Sequence, residues 1–253
     1  MLPINLNDLV ATGIVGLVIV VMALVWLTNR KPPPEPYESI SAYEGVDALM
    51  HRSSEEGKAL LIGMGEGFSG QNLGLGDSVG LSIEQNMLNR SVFNDQPTRS
   101  FSGDGALACI SQLIVHGAYE NAMATELFRS DHAQFTGHGS FAWMAGLLPE
   151  LAHRDNAGLI LTGTMRPEHL MIADLAERKD TPLVVATGSV GAQAAFFASE
   201  AQVTIGEGYF LPSIGKTSQF AYQSSAKIMN WLRVILAIAL IVGALMKLSG
   251  VLP

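Results

Sequence analysis

The sequence predicts an α/β domain on a mostly parallel, doubly wound sheet, carried between an N-terminal and a C-terminal transmembrane helix. Three observations predict it. Short apolar strands alternate with helix-length stretches through the middle of the chain, four of the six strands end in a hydroxyl residue followed by glycine, and the apolar excess is concentrated at the two ends. With 48% hydrophobic and 15% charged residues among 253, the composition excludes a disordered or collagen-like chain. The net charge of -8 argues against a phosphate backbone as partner, so no nucleic acid is expected. The single cysteine, Cys109, excludes an intrachain disulfide.

Residues 1–8 form a short tail, and a first span is predicted over 9–28. The nineteen residues from Leu9 to Leu27 carry no charge, which at ~1.5 Å per residue crosses most of a ~30 Å hydrocarbon core. Trp26 takes the place of an interfacial aromatic, and Arg30 and Lys31 close the stretch. A cleaved signal peptide is the alternative, but MLPINLND lacks a basic n-region and a small-x-small site. Residues 29–36, which include KPPPEP, read as a semi-rigid linker.

The second span is predicted over 228–252. Thirteen apolar residues run unbroken from Val234 to Met246, Trp231 anchors the entry, and Arg233 and Lys247 must snorkel to opposite interfaces. A buried or interfacial helix is the competing reading. Lysine and arginine flank the inner ends of both stretches, so the positive-inside rule puts the main domain in the cytoplasm of a two-pass cell-membrane protein.

The domain is predicted over 37–222. Its strands are 59–64, 98–102, 133–137, 158–163, 182–188 and 202–206; its helices are 79–90, 106–127, 140–153, 167–178 and 190–199. Ser78 or Asp77 reads as the cap of the first helix, Asp104 as the cap of the second, and Pro167 as a first-turn proline. In 167–178 the apolar side is read as Leu170, Met171, Ala173 and Leu175.

The hydroxyl-glycine pairs are Ser102-Gly103, Thr136-Gly137, Thr162-Gly163 and Thr187-Gly188. In an open parallel sheet they line the carboxyl edge, where ligands dock. Two readings stand: turn and cap chemistry, favoured because glycine takes unusual φ values and Ser or Thr satisfies open backbone groups at a helix start, or a ligand crevice. On the second, the candidate ligand-binding residues are Gly65, Gly67, Ser102, Asp104, Thr136, Thr162, Thr187 and Ser189.

No motif completes a catalytic or metal site. Gly65-Glu66-Gly67-Phe68-Ser69-Gly70 has the G-x-G-x-x-G form, yet more glycines intervene before the helix and the acidic Asp104 comes 34 residues after Gly70, where the dinucleotide fingerprint wants ~20. Ser189 sits on a strand-to-helix turn like a nucleophile elbow, but no Asp or His follows it, so it reads as a cap. His116 and Glu120 share a helix face without further donors, and all six histidines read as surface or capping residues. No cofactor is indicated.

Taken together, GVDALMHRSSEEGKALLIGMGEG (45–67), VHGAYENA (115–122), GLILTGTM (158–165) and AQVTIGEGYF (201–210) resemble an uncharacterised family of bacterial membrane-anchored proteins with a domain of unknown function. The similarity spans roughly residues 40–212. The resemblance implies a Rossmann-like α/β domain tethered by transmembrane helices, and it carries over no catalytic residue. The function expected is that of a non-catalytic subunit of a membrane-anchored homo-oligomer, with the lipid bilayer and other membrane subunits as partners. A membrane-tethered small-molecule or nucleotide sensor is the alternative.

Overall fold

In the computed structural model the residues described are 41–67, 74–153 and 155–210, with Gly16, Val20, Arg233, Val234, Leu236 and Ala237. The chain divides into two compact units, Met1–Tyr37 with Ile214–Pro253, and Glu38–Ser213. The tail 1–8 and linker 29–36 lie outside the described residues. Of the spans 9–28 and 228–252 only those six residues are described, all helical and exposed. Among the described residues no helix is long and apolar enough to cross a membrane.

The second unit opens with α1 (Ser41–Glu56) and continues through β1 (Ala59–Gly65), α2 (Leu75–Ser91), β2 (Arg99–Ser102), α3 (Gly105–Asn121), β3 (Ala133–Phe135) and α4 (Ser140–His153). It then runs through β4 (Asn156–Thr164), a 3-10 turn at Pro167–His169, α5 (Leu170–Arg178), β5 (Leu183–Thr187), α6 (Val190–Phe196), β6 (Gln202–Val203) and a 3-10 turn at Gly206–Phe210. The strands form one sheet in the order β3, β2, β1, β4, β5, β6, and every neighbouring pair is parallel. This is the Rossmann-like arrangement of two halves wound outward from β1 and β4.

Burial on both faces explains why the central strands read as continuous apolar runs and do not alternate. From β1, Leu60, Ile62 and Met64 enter a core with Val46, Leu49 and Met50 of α1, Leu81, Ile83 and Met87 of α2, and Leu107 of α3. Leu61 points the other way, into a core with Trp143 and Leu147 of α4, Ile172 of α5 and Phe196 of α6. Three helices therefore cover each face, and each fully buried Leu, Ile or Phe contributes roughly 1.5–3 kcal/mol.

The strands fall where the sequence puts them, apart from shorter ends on β3 and β6 and a longer β4. The helices differ more. The sequence reading omitted α1, whose buried Val46, Leu49 and Met50 sit at helical spacing within a polar segment. α2 begins four residues early, with Gly74 at the cap and Asp77 inside the first turn. α3 stops at Asn121, where Ala122 and Met123 turn the chain, Met123 with φ of 54°. In α5 the buried stripe is Ile172, Ala173 and Ala176; Met171 is exposed because it lies on the outer side of that turn.

Trp143 joins the layers: it is fully buried and its Nε1–H donates to the carbonyl of Phe101 at 3.1 Å. Trp143→Ala is expected to cost about 3–5 kcal/mol, from the lost ring volume and the orphaned carbonyl. The shift of the urea midpoint at unchanged m-value measures it; a loss under ~1 kcal/mol would contradict the packing described.

Candidate functional site

In an open parallel sheet, ligands enter at the carboxyl end where the strand order reverses, here between β1 and β4. The two strands do not run evenly to that point. Gly63 pairs with Leu161, but Gly65 pairs with Thr164, so β4 carries one extra residue. The bulge needs glycine on both sides. Gly163 has φ of 92° and Gly65 φ of 70°; a Cβ would stand 2.6 Å from the Met64 carbonyl oxygen at the first and 2.3 Å from that of Thr164 at the second.

At this bulge two backbone N–H groups donate to side chains. Gly163 N–H donates to the Tyr209 hydroxyl at 3.0 Å, and Thr164 N–H to Asp77 Oδ1 at 3.1 Å. Thr164 Oγ1 donates to the same oxygen at 2.7 Å, while Asp77 Oδ2 accepts from Gly74 N–H at 3.2 Å. Tyr209 in turn donates to the Gly76 carbonyl. Asp77 and Tyr209 are both fully buried. Burial pushes the phenol up to about 12, so it stays a neutral hydroxyl that donates and accepts together.

The carboxylate of Asp77 thus occupies the first turn of α2, the place where a helix N-terminus offers N–H groups to a phosphate in nucleotide-binding members of this architecture. A second closure crosses the same strands: buried Glu66, just after β1, pairs with Arg166, just after β4. The described part of the switch point is therefore filled by the chain's own groups.

All eight sequence-derived candidates do lie at the carboxyl edge, mostly engaged with one another. Gly67 has φ of 69° and packs on Asp104, whose Oδ1 caps α3 by accepting from Ala106 and Leu107 N–H at 2.9 and 3.1 Å. Thr136 Oγ1 donates to the Ser102 carbonyl at 3.3 Å, and Thr187 Oγ1 to the Gly163 carbonyl at 2.9 Å. Thr162 is buried beside Gly80 and Tyr209. Ser189 takes the cap position of α6, but its side chain makes no cap hydrogen bond; Thr187 Oγ1 accepts the Ser189 N–H instead. Ser102 and Thr162 are the exceptions, buried hydroxyls with no hydrogen-bond partner among the described residues. Of the G-x-G-x-x-G run, Phe68, Ser69 and Gly70 lie outside the described residues.

The sequence reading missed Asp77 as a site residue, along with Tyr209, Glu66 and Arg166. Asp77 had a local signal: an acid three residues past Gly74 is the N3 half of a capping box. Tyr209 had none. The reading of all histidines as surface or capping groups is corrected for His132; His169 does cap, its ring accepting the Arg166 N–H, though from a buried position. His132 is buried against Tyr119 and Phe128, and burial lowers its affinity for a proton. His169 is fully buried, edge-on to Trp143, and burial pulls it down to about 4.

His169 also forms a serine-histidine pair that no motif announced. Its Nε2 lies 2.7 Å from Ser140 Oγ, and its Nδ1 accepts the Arg166 N–H at 3.1 Å. That backbone donor fixes the tautomer. Nε2 carries the proton and donates to Ser140, and Ser140 donates to Glu168 Oε1 at 2.9 Å. The histidine is a donor to the serine, the reverse of the base a serine nucleophile requires, so the triplet clamps α4 to the Pro167–His169 turn. His116 and Glu120 form an exposed pair 3.9 Å apart. Among the described residues no three His, Cys, Asp or Glu groups are placed to hold a metal ion.

Two measurements probe this site. Asp77→Asn keeps the shape but must set an NH2 against either Gly74 N–H or the Thr164 donors, so a loss of about 1–3 kcal/mol is expected by urea unfolding. An unchanged midpoint would mean the plug is dispensable. His169 binds protons less readily folded than unfolded, so the stability it gives is present above about 6.5 and is lost as pH falls toward about 4. His169→Gln offers the same acceptor and donor without titrating, and should remove on the order of 2–3 kcal/mol of the wild-type acid sensitivity in that window.

Neither the curated proteins nor the solved structures contain a match to this chain. A family pattern does match, and it covers residues 5–252, nearly the whole sequence. The chain belongs to the family described as Domain of unknown function (DUF6754).

Proposed function

We propose that this protein is a non-catalytic subunit of a membrane-anchored homo-oligomeric assembly, its α/β domain serving as a structural module on the cytoplasmic face of a bacterial cell membrane. The observation that carries the reading is the closure of the β1/β4 switch point by Asp77 and Tyr209, which puts the chain's own carboxylate and phenol where this architecture holds a ligand.

The surface supports association. Large apolar side chains stand exposed on α6 (Val190, and Phe197 just after it), around the start of α4 (Phe135, Phe141) and on α3 (Leu113). The apolar stretches 9–28 and 228–252 support the anchoring. A domain tethered at both ends has little freedom except to pack sideways, against copies of itself or against other membrane subunits. One observation favours the sensor reading instead: the partnerless Ser102 hydroxyl at the carboxyl edge offers a small ligand a hydrogen bond.

Cross-linking in native membranes should give ladders in multiples of 26.9 kDa. A strictly monomeric mass in several mild detergents would overturn the assembly and promote the sensor. In a Cys109→Ser background, a cysteine at Ser41 should be shielded from an impermeant reagent in intact cells while one near the C-terminus reacts; the reverse pattern would overturn the orientation.

A further inference from the structure

Glu84 lies in the middle of α2, fully buried between α3 and β2. Its Oε1 contacts the Ser111 hydroxyl of α3, and Ser111 Oγ lies 3.1 Å from Ser100 Oγ of β2. Its Oε2 has no hydrogen-bond partner among the described residues. Ser111 and Ser100 are themselves buried, so solvent does not complete the set.

The charged and titratable groups on the packed elements are engaged elsewhere or exposed, the exposed ones being Glu44, His51 and Glu55 of α1 and Cys109 of α3. Asp47 of α1 pairs with Arg90 of α2; His116 and Glu120 of α3 pair with each other; Arg99 of β2 pairs with Glu150 and Asp131. Tyr119 of α3 packs on Phe128 and His132, Asp77 serves Thr164 and Gly74, and Tyr209 serves Gly163 and Gly76. Only burial and the two serines act on the ionisation of Glu84.

Burial with no charge partner among the described residues decides the state of the row. A carboxylate here would be a full buried charge with two hydroxyls for company and one oxygen bare. With a proton on Oε1, Glu84 donates to Ser111 and Ser111 donates to Ser100, one hydrogen for each contact. Oε2 is then a neutral carbonyl oxygen, the least costly atom to leave unpaired.

We propose that Glu84 is a proton-loaded latch, which as a neutral acid ties α2 to α3 and β2 through Ser111 and Ser100, and which on losing its proton parts α2 from α3. Burial raises its affinity for the proton above the ordinary carboxylate value of 4.5. The sign follows: the stability is present below the ordinary carboxylate range and is lost as pH rises through the raised folded-state value.

The test compares the purified full chain with Glu84→Gln between about pH 5 and pH 9. The wild-type melting temperature should fall as pH rises, by on the order of 5 °C or more beyond any fall in the variant. Amide exchange in the wild type should quicken first in α2 and α3. Parallel melting curves for the two proteins would overturn the latch. The infrared spectrum of the wild type at neutral pH should show the carbonyl stretch of a protonated carboxylic acid, and raising the pH should remove it in step with that exchange. If Glu84→Gln does not fold, this band carries the test alone, and its absence overturns the proposal.

Discussion

Two N–H groups at the end of β4, those of Gly163 and Thr164, set the terms for the rest of the structure. A bulge against β1 leaves them to side chains at the place where the sheet divides into its two halves, and buried donors there must be matched. Tyr209 and Asp77 match them. Tyr209 comes from the last described turn of the domain and Asp77 from the first turn of α2, so one pair of hydrogen bonds ties the chain's late end, its central strand and its first crossover helix together. The glycines follow from the same constraint, because Gly65 and Gly163 approach each other's strand more closely than any Cβ permits.

The hydroxyl-glycine recurrence is the same economy extended along the edge. Thr187 donates to the Gly163 carbonyl and Thr136 to the Ser102 carbonyl, so strand ends are laced sideways by short side chains where the ladder stops. Each lacing bond is worth ~1 kcal/mol net. Turn chemistry therefore accounts for Thr136 and Thr187, and cap chemistry for Asp104. Ser102, Thr162 and Ser189 fall outside both accounts, since the first two hydroxyls have no partner among the described residues and the third makes no cap bond.

The central strands were legible because two-sided burial writes itself as short apolar runs bounded by glycine, as in ALLIGMG and LVVAT. α1 was not, since SAYEGVDALMHRSSEE buries three large apolar residues among many polar ones and its pattern is diluted. The carboxyl-edge residues were legible as a set, because strand ends locate them without knowledge of pairing. The plug was not, because the hydrogen bond from Gly163 to Tyr209 spans 46 positions and that from Thr164 to Asp77 spans 87. Local periodicity carries no information at that range. The tautomer of His169 was equally hidden, for it depends on a backbone donor from a turn whose shape only the fold determines.

Asp77 and Glu84 sit on the same helix, two turns apart and equally buried, yet the chain treats them oppositely. Asp77 lies in the first turn, where N–H groups are unfilled, and it receives Gly74 N–H, Thr164 N–H and the Thr164 hydroxyl. Glu84 lies mid-helix, where every N–H is committed to the turn before, so only serine hydroxyls reach it and one oxygen goes without. Position along the helix, and not the depth of burial, thus separates a carboxyl whose two oxygens are met by three donors from one that is held best with its proton on.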